Sequence, residues 1–289
     1  DLFEHLLGIK LQTPFLRLDY AQCVSRFGLD KPDLRFGMEL KDIHHALEGS
    51  PYDWFQEVMQ SGGRIAAFSV PGGAKFSRKQ IDKFSDFVKA YRARGIFYVK
   101  VTEEGLQGGA AKHIPAQNHQ QFLEITGAES GDLVIFLADK VKVVNDGLGY
   151  LRNHVAKQMD SIREPEEGPF IAEGQYRFLW VTRFPLFEYN PDEERWEAMH
   201  HMFTMPYEED MKYFETGELN KINGRLYDLV LNGVELGSGS IRIHKAEIQQ
   251  KVFDAIGFSK EDAHERFGFF LESLRYGAPP HGGIALGLA

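Results

Sequence analysis

The stretch Leu226-Tyr227-Asp228-Leu229-Val230-Leu231, then Asn232-Gly233, then Val234-Glu235-Leu236 running on to His244, decides how the chain folds. Asn-Gly between two alternating apolar runs is a strong signal for a hairpin closed by a two-residue turn. Such a turn sets Leu231 opposite Val234 and Val230 opposite Glu235. Side chains alternate along a strand, so Asp228 shares a face with Val230. Asp228 and Glu235 then lie diagonally on one face, within reach of a shared divalent cation completed by waters and phosphate oxygens. Without a ligand, the same pair reads as two solvated carboxylates on an exposed sheet. Arg242, seven residues past Glu235, falls on the opposite face if alternation is strict. A bulge within Gly237-Ser238-Gly239-Ser240 would shift the parity, and these glycines suggest a ligand passing close to the backbone. An arginine there suits a carboxylate or phosphate because its planar fork donates two parallel hydrogen bonds. A surface ion pair is the simpler alternative.

Upstream, Met199-His200-His201-Met202-Phe203-Thr204 reads as a strand whose adjacent histidines point to opposite faces. One of them can meet an anionic substrate, and a His-His metal pair is disfavoured. Arg177–Tyr189 and Arg195–Phe203 read as a hairpin around Asn190-Pro191-Asp192. Downstream come two helices, Ala246–Ile256 and one opened by Ser259 with Asp262 three residues later. The closing Pro279-Pro280-His281-Gly282-Gly283 run reads as a loop without the Lys-Ser/Thr of a phosphate-binding loop. Between about Arg64 and Met159 strands alternate with helices. Ile65–Val70, Ile96–Val101 and Asp132–Ala138 read as strands. Ser77 caps a helix carrying Ile81, Phe84 and Val88, Gln117–Ile125 is a second helix, and Gly147 and Gly149 weaken a third. Asp160–Gln175, rich in Glu, Pro and Gly, reads as a linker. Asp19 can cap a short helix ending at Gly28, ahead of the polar loop Asp30–Gly37.

The 289 residues are 43% hydrophobic and 26% charged, enough to bury a substantial core, with no run long enough to span a membrane. With 33 Lys and Arg against 42 Asp and Glu the formal charge is −9, which disfavours a DNA-binding surface. Basic positions do gather at Arg78, Lys79, Lys83, Lys89, Arg92 and Arg94. Cys23, the one cysteine, rules out an intrachain disulfide and a cysteine-rich zinc site, reads as a buried thiol, and fits a reducing, cytoplasmic compartment. The sequence opens at Asp1 without Met, which suits a fragment.

Read together, several stretches resemble bacterial aspartyl-tRNA synthetases in family order. They include Asp30-Lys31-Pro32-Asp33-Leu34-Arg35-Phe36-Gly37, Phe184-Pro185-Leu186, Met199-His200-His201, Tyr227 to Leu236, Gly239-Ser240-Ile241-Arg242-Ile243-His244 and Tyr276 to Gly283. The resemblance implies an α+β class II synthetase fold, an antiparallel sheet flanked by helices. Residues 1–60 would be the first part of the catalytic domain and 161–289 its C-terminal part. Residues 61–160 would form an inserted α/β domain shared with the B subunit of a tRNA-dependent amidotransferase. It further implies aspartate activation by ATP with Mg²⁺, acyl transfer to tRNA, and a homodimer. By the same resemblance Arg242 grips the aspartate side chain, His200 lies on the substrate side, and Asp228 and Glu235 contact ATP and its Mg²⁺. Gly287 and Leu288 match the start of the third class II signature.

The family pattern runs past Gly287-Leu288 to Asp and Arg, whereas this sequence ends at Ala289. The second class II signature and the anticodon-binding barrel normally precede the region matched. The chain by itself is therefore expected not to make aspartyl-adenylate. Met202 replaces a proline, and Ser238 stands where many members have glycine. Two other readings are a paralogous module that binds tRNA or protein, and a synthetase-like, ammonia-dependent asparagine synthetase. An intact insert at 61–160 argues against the latter.

Overall fold

The computed structural model describes residues 2–287. In chain order the elements open with α1 (Leu2–Leu7), β1 (Leu16–Asp19), α2 (Tyr20–Phe27), β2 (Lys41–Asp42), α3 (Asp53–Gln60) and β3 (Arg64–Val70). Next come α4 (Arg78–Phe87), β4 (Phe97–Thr102), β5 (Gly105–Gln107), α5 (His119–Thr126), β6 (Leu133–Asp139) and α6 (Val141–Gln158). The chain continues through β7 (Phe178–Pro185), β8 (Phe187–Asn190), β9 (Arg195–Ala198) and α7 (Tyr213–Thr216). It closes with β10 (Asn223–Leu231), β11 (Val234–Ile241), α8 (Ala246–Ala255), α9 (Lys260–Arg275) and β12 (Gly282–Leu286). Two compact units result, one of Gln22–Arg177 and one of Asp1–Ala21 with Phe178–Ala289.

In the unit of Gln22–Arg177 the sheet order is β2-β3-β6-β4-β5, with every neighbouring pair antiparallel. β6 is an unbroken apolar run because both its faces are covered. Leu133, Ile135 and Leu137 pack into one core with Phe68, Phe84 and Leu148, while Val134 and Phe136 pack into another with Phe55, Phe122 and Val99. The unit is wider than the 61–160 span expected from sequence. β2 pairs with β3 and α3 packs on β3 and β6, so residues before 61 belong to the same core. Ser77 caps α4 in a reciprocal box with Gln80, and Cys23 is fully buried.

α6 runs unbroken for 18 residues through Gly147 and Gly149. Each helical glycine costs about 1 kcal/mol relative to alanine. Here Gly149 admits a neighbouring backbone: a Cβ on it would stand 2.9 Å from the Phe27 carbonyl oxygen. A Cβ on Gly28, at φ +77, would stand 2.8 Å from the Gly149 Cα of the same helix.

The other unit carries a sheet of order β1-β7-β10-β11-β12. It is mixed and not wholly antiparallel, because β1 pairs with β7 in parallel. A parallel pair needs a long connection between its strands, and the 22–177 unit separates these two in sequence. The expected strand 177–189 breaks at Leu186, whose N–H turns to the Ile222 carbonyl, 2.8 Å away, so β8 and β9 form their own two-stranded sheet. Of the closing run read as a loop, Pro279, Pro280 and His281 stay outside any strand, whereas Gly282 and Gly283 open β12, which pairs with β11 from Gly237–Leu286 to Ile241–Gly282. Ser259 caps α9 by accepting from the Asp262 N–H at 3.0 Å. Among the described residues no helix is long and apolar enough to cross a membrane.

Candidate functional site

The ribbon of β10 and β11 is closed by Asn232 at φ 51 and Gly233 at φ 84, the paired positive angles of a type I′ turn. Leu231 faces Val234 and Val230 faces Glu235, as alternation requires. The register then shifts. Leu229 faces Gly237 and Asp228 faces Ser238, which leaves Leu236 as the bulged residue. The parity change comes just before the Gly237–Ser240 stretch in which it was expected. Its effect is the same: Asp228, Glu235, Ser238 and Ser240 share a face, and Arg242 follows Ser240 at the strand period. The Leu236 carbonyl accepts from the Gly287 N–H at 2.7 Å, so Gly287 sits across from the bulge. Leu288 lies outside the described residues.

The glycines of β11 have a different cause from the one expected. A Cβ at Gly237 would stand 2.3 Å from the Ala285 carbonyl oxygen, and one at Gly239 would stand 2.2 Å from that of Gly283 and 2.4 Å from the Tyr227 ring. Strand β12 and an aromatic ring make these close approaches, and no ligand is needed to explain them.

Asp228 is 2% exposed and lies between Val181 of β7 and Ser238 of β11, so it is no solvated surface carboxylate. Glu235 is half-buried beside the turn. Among the described residues no group of three or more His, Cys, Asp or Glu side chains converges to hold a metal. Two carboxylates on one face fit a Mg²⁺ ion that arrives with phosphate oxygens, because that ion keeps several non-protein ligands.

Arg242 is held by its backbone. Its N–H donates to the His281 carbonyl at 2.9 Å, and it bridges Thr204 in antiparallel fashion. The N–H groups of Met205 and Ile243 donate to Ile241 and Phe203 at 2.8 and 2.9 Å, lacing segment 203–205 to the end of β11. The Arg242 guanidinium lies against the His201 ring, with Nη1 touching Nε2 and 3.2 Å from Nδ1. Arg242, His201, Phe203, Phe267, Phe270 and His281 line a cleft of about 660 Å³. Neither Asp228 nor Glu235 is among these lining residues. His200 is not among these lining residues either; its ring stands edge-on to Phe184 with ring centroids 5.1 Å apart.

The expected strand 195–203 stops at Ala198, and beyond it His201 is the histidine brought to Arg242. Sequence reading named His200 and passed over His201, Phe267, Phe270 and His281. β9 ends at Ala198, so both histidines lie in a bend and loop where strand alternation does not apply. The Thr204–Arg242 pairing brings that loop to the end of β11, and it has no local signature.

Burial, then the charge of Arg242, pushes the His201 imidazole down to about 4. The ring is therefore neutral beside the guanidinium at neutral pH. Above the ordinary value of 6.5 it is neutral in folded and unfolded chain alike. Between about 6.5 and 4 the unfolded chain takes up a proton that the folded chain refuses, so stability falls as pH falls through that window. Urea midpoints measured from pH 7.5 to 4.5 are expected to decline less steeply in His201→Gln than in wild type. Parallel declines would contradict the burial of a neutral ring.

Across residues 1–289 the sequence matches the family described as tRNA synthetases class II (D, K and N). It is 47% identical to the aspartate–tRNA ligase of Lactiplantibacillus plantarum, over all of this chain and 47% of that protein. Identity to the aspartate–tRNA ligase of Ruminiclostridium cellulolyticum is 45%, over 99% of this chain and 47% of the relative. With the aspartate–tRNA(Asp/Asn) ligase of Bacillus cereus it is 46%, over 97% and 46%. The chain spans about half the length of the curated relatives it matches.

Proposed function

The chain belongs to the class II tRNA synthetases of the D, K and N group, and from that membership we propose that the whole protein is an aspartate–tRNA ligase. It joins aspartate and ATP into aspartyl-adenylate, then passes the acyl group to the terminal ribose of tRNA. The observation that carries this reading is the β10–β11 ribbon. Its face bears Asp228 and Glu235, and its bulge at Leu236 brings Arg242 to the same parity. Attack of a carboxylate on the α-phosphorus joins two anions, so the site must neutralise charge and hold both reactants in line.

In this reading Arg242 grips the side-chain carboxylate of aspartate, with neutral His201 beside its guanidinium and His200 on the substrate side. Asp228 and Glu235 hold the nucleotide's Mg²⁺, and Glu235 with the Gly287-Leu288 segment contacts ATP. Bound with the nucleotide, Mg²⁺ would supply charge neutralisation at the phosphates. The unit of Gln22–Arg177 contains the inserted domain of the family, the one shared with an amidotransferase B subunit. Its bounds near 61 and 160 rest on the sequence resemblance, as do a homodimeric assembly and a cytoplasmic location.

Aspartate-dependent pyrophosphate exchange tests the reading. The full-length protein is expected to exchange with aspartate and not with asparagine. A polypeptide of these 289 residues alone is expected to show no exchange above background, since it spans about half of its relatives. Full-rate exchange by that polypeptide would refute the second expectation, and absence of exchange by the full-length protein would refute the reading itself.

A further inference from the structure

Gln249 is fully buried on α8, outside every role considered so far. Its side-chain nitrogen lies 2.8 Å from the Met202 carbonyl oxygen. A carbonyl only accepts, so the amide must present its NH₂ there, which fixes the orientation of the group. The other end, Oε1, is buried with no hydrogen-bond partner. A buried amide that leaves one end unsatisfied is costly, and the Met202 contact is what it gains.

That contact borders the Arg242 site through its chain neighbours. Met202 joins His201, which lies against the guanidinium, to Phe203, which lines the same cleft. The Phe203 N–H donates back to His201 Nδ1 at 3.2 Å, and its carbonyl accepts from the Ile243 N–H at 2.9 Å. Segment 201–203 is thus tied to the β11 side by its backbone at Phe203 and to α8 by Gln249 at Met202.

We propose that Gln249 is a positioning residue, whose clamp on the Met202 carbonyl holds His201 against Arg242 and so sets the pocket for the amino-acid side chain. This rests on the proposed function for its substrate but not for its geometry. The clamp acts on one reactant only. Relaxing segment 201–203 disturbs the Arg242 pocket and leaves the Asp228 and Glu235 face of the ribbon in place.

Gln249→Met keeps length and volume. It orphans the Met202 carbonyl but removes the unsatisfied Oε1, so one buried unpaired acceptor replaces another and the fold is retained. In the full-length protein the KM for aspartate is expected to rise about tenfold or more, the KM for ATP to stay within twofold, and the thermal midpoint to hold. Gln250→Met, at the half-buried neighbour that bonds Asp254, is expected to change none of these. Hydrogen exchange read independently of activity should speed up at the Phe203 and Ile243 amides in Gln249→Met. An unchanged aspartate KM, an equal rise in both KM values, or unaltered exchange at those two amides would each overturn the proposal. If the wild type shows no aspartate-dependent exchange the function reading fails, and the amide exchange still decides the clamp.

Discussion

Arg242→Ala in the full-length protein is expected to cut kcat/KM for aspartate in pyrophosphate exchange by about 10²–10³-fold, or about 3–4 kcal/mol of transition-state stabilisation. A guanidinium that meets a carboxylate with two parallel charge-assisted bonds supplies energy of that order. Alanine leaves the substrate carboxylate unpaired in a cleft walled by Phe203, Phe267 and Phe270. The KM for ATP should move far less, since the nucleotide is assigned to the Asp228 and Glu235 face. Arg242→Lys keeps the charge but loses the planar fork and should recover only part of the loss. It should also discriminate more weakly against asparagine, whose amide cannot accept the bidentate pair that selects aspartate. An unchanged aspartate KM in Arg242→Ala would remove the central assignment.

The largest effect on stability is expected at Arg152. This arginine is 1% exposed within the unit of Gln22–Arg177. Its Nη2 donates to the carbonyls of Asp33, Phe36 and Gly37 at 2.7, 2.9 and 2.8 Å, and its Nε donates to Gly37 and Met38 at 3.1 and 3.2 Å. The rings of Phe27 and Phe36 lie 5.0 and 4.3 Å from the guanidinium carbon. Burial pushes this guanidinium down to about 10, against the opposing pull of Asp33 and Glu39, so it remains charged at neutral pH. The loop 33–38 has no strand partners, and one cation gathers its carbonyls. Arg152→Met is expected to cost about 3 kcal/mol or more, because several inward-facing carbonyls lose their donor together. Part of that loss is offset by no longer burying a charge. A urea titration would show the lower midpoint, and hydrogen exchange would show loss of protection on both sides of the loop. A variant with the wild-type midpoint would mean that water replaces the guanidinium without penalty.

Arg152 also marks a limit of sequence reading. In the sequence it is one basic residue in a helical stretch weakened by two glycines, with nothing to separate it from Lys142 or Lys157. Burial makes the difference: Gly149 lets the Phe27–Gly28 backbone settle on α6, and the loop that follows brings its carbonyls to the next turn. The Asp30–Gly37 segment read correctly as a polar loop, but its organising residue lies more than a hundred positions away.

The site divides in the same way. The Asn232-Gly233 turn, the pairing of Val230 with Glu235, the shared face of Asp228 and Glu235, and the caps at Ser77 and Ser259 were legible in sequence. Each depends on backbone angles or contacts among residues close together in the chain. The mixed character of the sheet, strand β12, the place of the bulge at Leu236 just before the glycine-rich stretch, which histidine lies against Arg242, and the burial of Gln249 were not legible. Strand β12 carries two glycines and no alternation, so only its ladder with β11 makes it a strand. The bulge falls where β11 must answer β10 on one side and β12 on the other. Sequence alone therefore determined the local geometry and the family, since turns, caps and alternation are decided within a few residues. Tertiary structure alone decided which side chains meet, because pairing between distant segments sets parity, burial and hence the charge each group carries.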